Sequence, residues 1–351
     1  MRTLILALFL AVPALAQQPT PVEKDFVIRD FRFQSGQTLP EVRVHYRTIG
    51  TPQKDGSGRI RNAVLLLHGS SGDATQLMAA SFAGALFGPG QPLDATKYFL
   101  ILPDILGNGK STKPSDGLHA KFPKYGYKDM VELEHRLVTE ELGIEHLQLV
   151  MGVSMGGMHT WMWGVQYPTM MSGLVPIAAQ PVPVEGRNLL WRRILSSAIR
   201  NDPEWKGGEY TQQPRGFLSI MPMFDMLIQS PARLGESLTN YEKADAYLQQ
   251  FTEKTRTSDD ANNILYRFEA SFDYNPTPSL ETIQAPLLAI VFMDDELNPP
   301  ELGAMDRVMA RVKNGYIYMV PPGAGSQGHR TQVQAGIWRD KLGEFLQILP
   351  K

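Results

Sequence analysis

Gly152-Val153-Ser154-Met155-Gly156 sets a serine between two glycines, directly after the apolar run Leu147-Gln148-Leu149-Val150-Met151 and ahead of a helical pattern. That order predicts a sharp strand-to-helix turn, a nucleophile elbow, with the Ser154 hydroxyl exposed above the end of a buried strand. The flanking glycines leave room for the backbone to reverse and for the next helix to press on the sheet. A serine so placed attacks a carbonyl carbon and forms an acyl-enzyme. The N–H of Met155, at the positive end of the following helix, is positioned to hold the resulting oxyanion. The same letters also occur in ordinary Gly/Ser turns, and here the buried-strand run and the pair Gly156-Gly157 favour the elbow.

A serine hydroxyl is a weak nucleophile at neutral pH, so Ser154 needs a base in hydrogen-bond reach and a third group to orient that base. Beyond the helix that follows Ser154 the chain has one histidine, His329, in the glycine-rich segment Gly325-Ser326-Gln327-Gly328-His329. His159, five positions after the serine, reads as a helix-surface or packed residue. For the acid, three adjacent carboxylates, Asp294, Asp295 and Glu296, follow an apolar run. Asp295 is the first choice because Pro299 lies four positions on, where it helps start the next helix. Asp294 is the fallback, and Glu296, with its longer side chain, comes last. A second oxyanion donor is expected from the loop Leu67-His68-Gly69-Ser70-Ser71-Gly72, with the N–H of Ser70 as candidate and His68 as a brace.

Gly107-Asn108-Gly109-Lys110-Ser111-Thr112 ends like a phosphate-binding loop, yet the earlier glycine of that motif falls at Asp104. Nucleotide binding is therefore not expected, and Pro103 to Gly107 reads as a tight turn after a strand.

The elements that must carry these groups are legible as patterns. Alternating segments over 26–33 and 42–48 predict half-exposed antiparallel strands. Near-continuous apolar runs at 63–67, 98–102, 147–151, 174–178, 287–293 and 316–320 predict parallel strands buried on both faces. Helix-like periodicity over 128–142, 155–166 and 301–313 completes a βαβ rhythm. The expectation is an α/β protein with a mostly parallel eight-stranded sheet flanked by helices. The interval of about 181–285 far exceeds an ordinary crossover and predicts a helical cap inserted between core strands. Its Trp191, Trp205, Met221, Met223, Phe224 and Met226 read first as packing and second as acyl-pocket candidates.

Composition bounds the rest. The chain has 351 residues, 43% hydrophobic and 20% charged, with a formal net charge of -2, which fits a soluble globular protein and implies no field for nucleic acid. Arg2, an apolar stretch from Leu4 to Val12 and Ala14-Leu15-Ala16 predict a signal peptide over 1–16, leaving a catalytic domain over 17–351. With no cysteine there is neither a disulfide nor a lipidated cysteine. The sequence expectation is thus export to the periplasm or medium, without a stable membrane anchor, cofactor or metal. A small-molecule ester or acyl donor is the expected partner, and a homodimer stays open.

With these residues in hand, the chain resembles the homoserine O-acetyltransferase family of α/β-hydrolases. The likeness rests on Tyr46-Arg47-Thr48-Ile49-Gly50, Gly88-Pro89-Gly90 to Asp94-Ala95-Thr96-Lys97-Tyr98, the elbow through Met158, Asn201-Asp202-Pro203, Asp295-Glu296-Leu297 and Gly328-His329. It implies the α/β-hydrolase fold, with Ser154, Asp295 and His329 as the triad. Two segments depart from it. His68-Gly69-Ser70-Ser71-Gly72 is closer to ordinary esterases, and Gly216 to Phe224 has no arginine where the family uses one toward a substrate carboxylate; Arg215 lies just outside. A buried carboxylate without a cationic partner is costly, which argues against homoserine as acceptor. The reading is an exported serine hydrolase acting on carboxylic esters. The alternatives are an acyltransferase using a hydroxyl or thiol acceptor and, from another class, a catalytically silent small-ligand binding protein.

Overall fold

The computed structural model describes residues 20–350; the signal peptide expected over 1–16 lies outside the described residues. The strands are β1 (Val22–Arg32), β2 (Thr38–Ile49), β3 (Ala63–Leu67), β4 (Phe99–Pro103), β5 (Leu149–Val153), β6 (Leu174–Ile177), β7 (Leu287–Phe292) and β8 (Gly315–Val320). They form one eight-stranded sheet in the order β1-β2-β4-β3-β5-β6-β7-β8. The β1-β2 and β2-β4 pairs are antiparallel and all others parallel. The helices are α1 (Ala83–Leu86), α2 (Tyr127–Arg136), α3 (Met155–Gln166), α4 (Gly186–Arg200), α5 (Arg215–Ile228), α6 (Pro231–Ser237), α7 (Tyr241–Ser258), α8 (Ala261–Glu269), α9 (Ala304–Met309) and α10 (Arg339–Gln347).

Every residue of β3 is buried, and side-chain alternation divides them between two layers. Leu65 and Leu67 pack with Met130 of α2 and Trp161 and Trp163 of α3, whereas Val64 and Leu66 pack with Leu86 of α1 and Phe345 of α10. Helices on both faces leave no solvent side, so the central strands are apolar throughout. Each such leucine contributes about 1.5–3 kcal/mol through burial.

One helical run changes pitch within the expected span, and another is shorter than its periodicity suggests. The turn after α2, Leu137–Glu141, widens into a π-turn and stops near Gly143, which takes a φ of 62°. Ahead of α9, Gly303 at φ 64° caps the helix and separates it from a single 3₁₀ turn, Pro300–Leu302, so Pro299 caps that turn and the helix itself opens only at Ala304.

Helices α4 to α8 lie between β6 and β7 and gather over a core of their own. Trp191 stacks on Phe224 with centroids 4.7 Å apart and planes 20° apart, and Phe268 meets Trp191 edge-on at 4.7 Å. Trp205 and Met221 are buried here as well, while Met226 is exposed, so most of the aromatic and methionine content is packing.

Candidate active site

The carboxyl ends of β3, β5 and β6 come together, with Leu67 beside Gly152 and Val153 beside Ile177. Ser154 follows Val153 immediately, and its N–H donates to the Ile177 carbonyl at 2.9 Å while that of Gly156 donates to the His68 carbonyl at 3.1 Å. Pinned on both sides, Ser154 takes φ 53° and ψ -115°. That conformation costs a non-glycine residue about 1–3 kcal/mol, and the surrounding sheet overrides it. A β-carbon on Gly152 would meet the Gly156 carbonyl oxygen at 2.2 Å, and one on Gly156 would meet that of Leu67 at 2.2 Å. Both glycines are therefore steric requirements of the turn.

Two loops converge on this serine. His329 Nε2 lies 2.8 Å from Ser154 Oγ, and His329 Nδ1 lies 2.7 Å from Asp295 Oδ2. Asp295 and His329 are almost wholly buried, and Ser154 is partly exposed. The other Asp295 oxygen accepts the N–H groups of Leu297 at 2.9 Å and Asn298 at 3.0 Å, which fixes the carboxylate's orientation. With Nδ1–H donating to Asp295, Nε2 is left as an acceptor for the serine proton, the tautomer that nucleophilic attack requires. Asp294 points elsewhere and accepts the Gly328 N–H at 3.0 Å, bracing the histidine loop. Glu296 is half-exposed and pairs with Arg187.

The loop after β3 lies against the elbow, since a β-carbon on Gly69 would come within 3.4 Å of Ser154 Cβ. His68 is fully buried; its Nδ1 lies 2.8 Å from the Gly69 carbonyl, and its Nε2 accepts the Ile105 N–H at 3.0 Å. The peptide whose carbonyl His68 holds is the one that carries the Ser70 N–H, so the imidazole orients that N–H. Gln76 engages the neighbouring Gly69 N–H at 2.9 Å. The N–H groups of Ser70 and Met155 donate to no acceptor among the described residues.

Burial holds the His68 imidazole below its ordinary value of 6.5, because the charged form is desolvated. As the pH falls through about 6.5, the unfolded chain takes up this proton before the folded one, so stability declines with acidification. Thermal melts from about pH 7.5 to about pH 5.5 should show a falling melting temperature, with a shallower slope in H68N. Equal slopes in the two proteins would assign the pH dependence to groups other than His68.

His159 is packed, with Nδ1 2.7 Å from Glu134 Oε1, and Trp163 donates to the other Glu134 oxygen at 2.9 Å. Asp104 is fully buried and forms a 2.9 Å ion pair with Arg47, so the loop that ends like a phosphate cradle is closed by its own carboxylate. Arg215 is exposed and pairs with Glu204.

Between cap and core lies a cavity of about 580 Å³, bordered by Ser70, Met221, Phe224, Asp225, Arg267 and Arg330. Met221 and Phe224 thus serve both the cap core and this wall. Arg330, adjoining His329, pairs with Asp225 of α5, whose carboxyl is pushed up by burial. Gly328 packs so closely on the cap that a β-carbon there would lie 2.7 Å from Gln229. Sequence reasoning missed Asp225, Arg267 and the bracing role of Asp294. Arg267 had a faint signal, a cation amid the apolar positions Ile264, Leu265 and Phe268 of α8.

A strained serine at the end of β5, facing a histidine and an aspartate from loops after β8 and β7, defines a serine-dependent enzyme of the α/β-hydrolase class. In agreement, a family model described as the alpha/beta hydrolase fold matches residues 62–218. The chain belongs to the homoserine O-acetyltransferase family within that class. A probable acyltransferase of Methanothermobacter thermautotrophicus is 32% identical over 278 residues, 79% of this chain and 84% of that protein. The homoserine O-acetyltransferase of Trichormus variabilis is 32% identical over 298 residues, 77% of this chain and 79% of its own. Against the Methanohalophilus mahii homoserine O-acetyltransferase the match spans 60% of that protein's length. A homoserine O-acetyltransferase structure from Bacillus anthracis superposes with a TM-score of 0.80 at 24% identity, covering 94% of this chain and 99% of that one. An acetylester hydrolase from Corynebacterium glutamicum gives 0.79 at 21% identity, covering 93% and 96%. At these identities the two superpositions speak to the fold.

Proposed function

We propose that this chain is an acyltransferase that takes an acyl group onto Ser154 and passes it to a hydroxyl or thiol acceptor. The observation that carries this reading is the kinship with proteins named acyltransferases across more than three quarters of the chain. It shifts the weight from water, the acceptor first expected from the sequence, to transfer.

In the proposed cycle, His329 takes the Ser154 proton as Oγ adds to the carbonyl of an ester or thioester donor. The N–H groups of Ser70 and Met155 hold the oxyanion, and Asp295 stabilises the imidazolium. Collapse of the tetrahedral species expels the leaving group, which receives the proton from His329. The acceptor then enters beside the acyl group, and His329 deprotonates it for the second attack. A cavity of about 580 Å³ that borders Ser70 on the core side and Met221 and Phe224 on the cap side supports this reading as the place from which an acceptor approaches.

Homoserine belongs in the acceptor panel: the stretch Gly216 to Phe224 contains no arginine and gives the cavity the apolar side chains of Met221 and Phe224, yet Lys254, Arg267 and Arg330 also border it. A second reading, hydrolysis of carboxylic esters, is favoured by the His68-Gly69-Ser70-Ser71-Gly72 loop. Product analysis with acetyl-CoA or p-nitrophenyl acetate as donor and a panel of alcohols, thiols and amino acids separates the two. Transfer predicts that acylated acceptor exceeds free acid for at least one acceptor; free acid as sole product throughout would leave hydrolysis. Export is proposed on the pattern of residues 1–16, and the N-terminal residue of protein recovered from the periplasm or medium tests it: cleavage after Ala16 is expected, and an intact Met1 would contradict it.

A further inference from the structure

Arg267 is carried by α8 of the cap, is 7% exposed, and has no carboxylate partner within ion-pair distance among the described residues. Its guanidinium is spent on two backbone carbonyls: Nη1 donates to Ser70 O at 2.7 Å and Nη2 to Gly107 O at 3.1 Å. Nε has no partner among the described residues. Such a cation is costly to bury, and an apolar side chain would fill the same space at lower cost. What an apolar side chain would not do is hold those two carbonyls, one in the loop after β3 and one in the loop after β4.

The position of the first carbonyl is the telling feature. Each backbone group around the Ser70 N–H has a dedicated holder. Gln76 fixes the Gly69 N–H, His68 fixes the Gly69 carbonyl, and Arg267 fixes the Ser70 carbonyl. Two of the holders belong to the core, and the third comes from the cap. We propose that Arg267 is a positioning residue for the oxyanion loop, through which docking of the cap sets the direction of the Ser70 N–H and so couples substrate cover to transition-state stabilisation.

This inference rests on the reading of Ser70 as an oxyanion donor in an acyl-transfer site. An oxyanion donor acts only on charge that develops in the transition state, so its misalignment lowers kcat and leaves ground-state binding nearly intact. Removing one such donor outright costs about 10²–10³-fold, and a displaced donor costs part of that. A Lys in place of Arg267 keeps the charge but reaches one carbonyl at a time, so it recovers only part of the effect.

The test uses the full chain with p-nitrophenyl acetate, comparing R267M and R267K with the parent in kcat, KM and thermal melting. We expect R267M to lose about 10- to 100-fold in kcat with KM within about twofold, and R267K to fall between the two. Binding of a trifluoromethyl ketone, which forms a tetrahedral adduct on the serine, should weaken in parallel with kcat. Millimolar guanidinium should restore part of the R267M loss. Unchanged kcat, or a loss confined to KM, would overturn the proposal; if R267M does not fold, R267K with parental kcat and ketone affinity overturns it alone. S154A run alongside separates the layers. If S154A is active, the site itself is misread, whereas an inactive S154A beside fully active Arg267 variants refutes only the coupling.

Discussion

Replacing Ser154 with alanine lowers turnover of any ester substrate by about 10⁶-fold, the scale expected when the nucleophile of a cooperating set is removed. What survives reflects oxyanion contacts and binding, because the remaining groups still surround the substrate. The loss is chemical and not a matter of folding: alanine keeps the β-carbon that strains the backbone at φ 53°, so S154A should melt close to the parent. Ser154→Gly should melt higher than S154A, since glycine accepts that conformation without the strain of about 1–3 kcal/mol. An organophosphonate should label the parent at this one residue and leave both variants unlabelled. Activity retained in S154A, or labelling at another serine, would refute the assignment of the nucleophile.

The second large effect distinguishes neighbours in one loop. Asp295→Asn should lower kcat by about 10⁴-fold, because an amide at this place favours the wrong imidazole tautomer while leaving the shape unchanged. Asp294→Asn should cost less than about tenfold, since Asp294 accepts a single backbone bond from Gly328 and does not touch the imidazole. Glu296→Gln, on a half-exposed side chain paired with Arg187, should be close to neutral. Steady-state kinetics on the three variants checks the ranking. A larger loss in D294N than in D295N would reverse the roles.

The residues behind these effects differ in how plainly the sequence announces them. The central strands were legible because burial on both faces forces unbroken apolar runs such as Ala63-Val64-Leu65-Leu66-Leu67, too short for a helix and without a polar face. The elbow was legible because its glycines answer to backbone contacts of 2.2 Å that no other residue tolerates. The histidine is reached by elimination, and the acid is narrowed to three carboxylates by its place after an apolar run and to Asp295 by Pro299 four positions on, the carboxylate that meets His329. The fold brings Asp295 to His329 and turns Asp294 toward Gly328, a difference of side-chain direction that adjacent carboxylates do not reveal in one dimension. Helix ends were less legible. The run over 301–313 kept its helical periodicity although Gly303 breaks it, because periodicity records which face is buried and not where the chain turns.

The contacts between cap and core were the least visible. Arg267 reaches the Ser70 carbonyl across 197 positions of sequence, and Arg330 meets Asp225 across 105. Neither pairing has a local pattern, since each depends on how the helices between β6 and β7 settle over the sheet. Met221 and Phe224 were read as packing first and pocket second, and the structure gives them both tasks at once. Residues with two tasks constrain substitution on the cavity wall: a cavity-widening change such as Phe224→Ala also empties the stack against Trp191.

The central claim is that an acyl group resides on Ser154 between two half-reactions. Mixing the protein with excess p-nitrophenyl acetate and quenching within the first turnover tests it most directly, with intact mass and peptide mapping as the readout. The account predicts a burst of p-nitrophenol and one acetyl group per chain on the peptide containing Ser154, discharged when an acceptor is added. Turnover with no burst and no acetylated Ser154 under conditions where deacylation is slowed by acid or cold, or acetyl found on another residue, would contradict it.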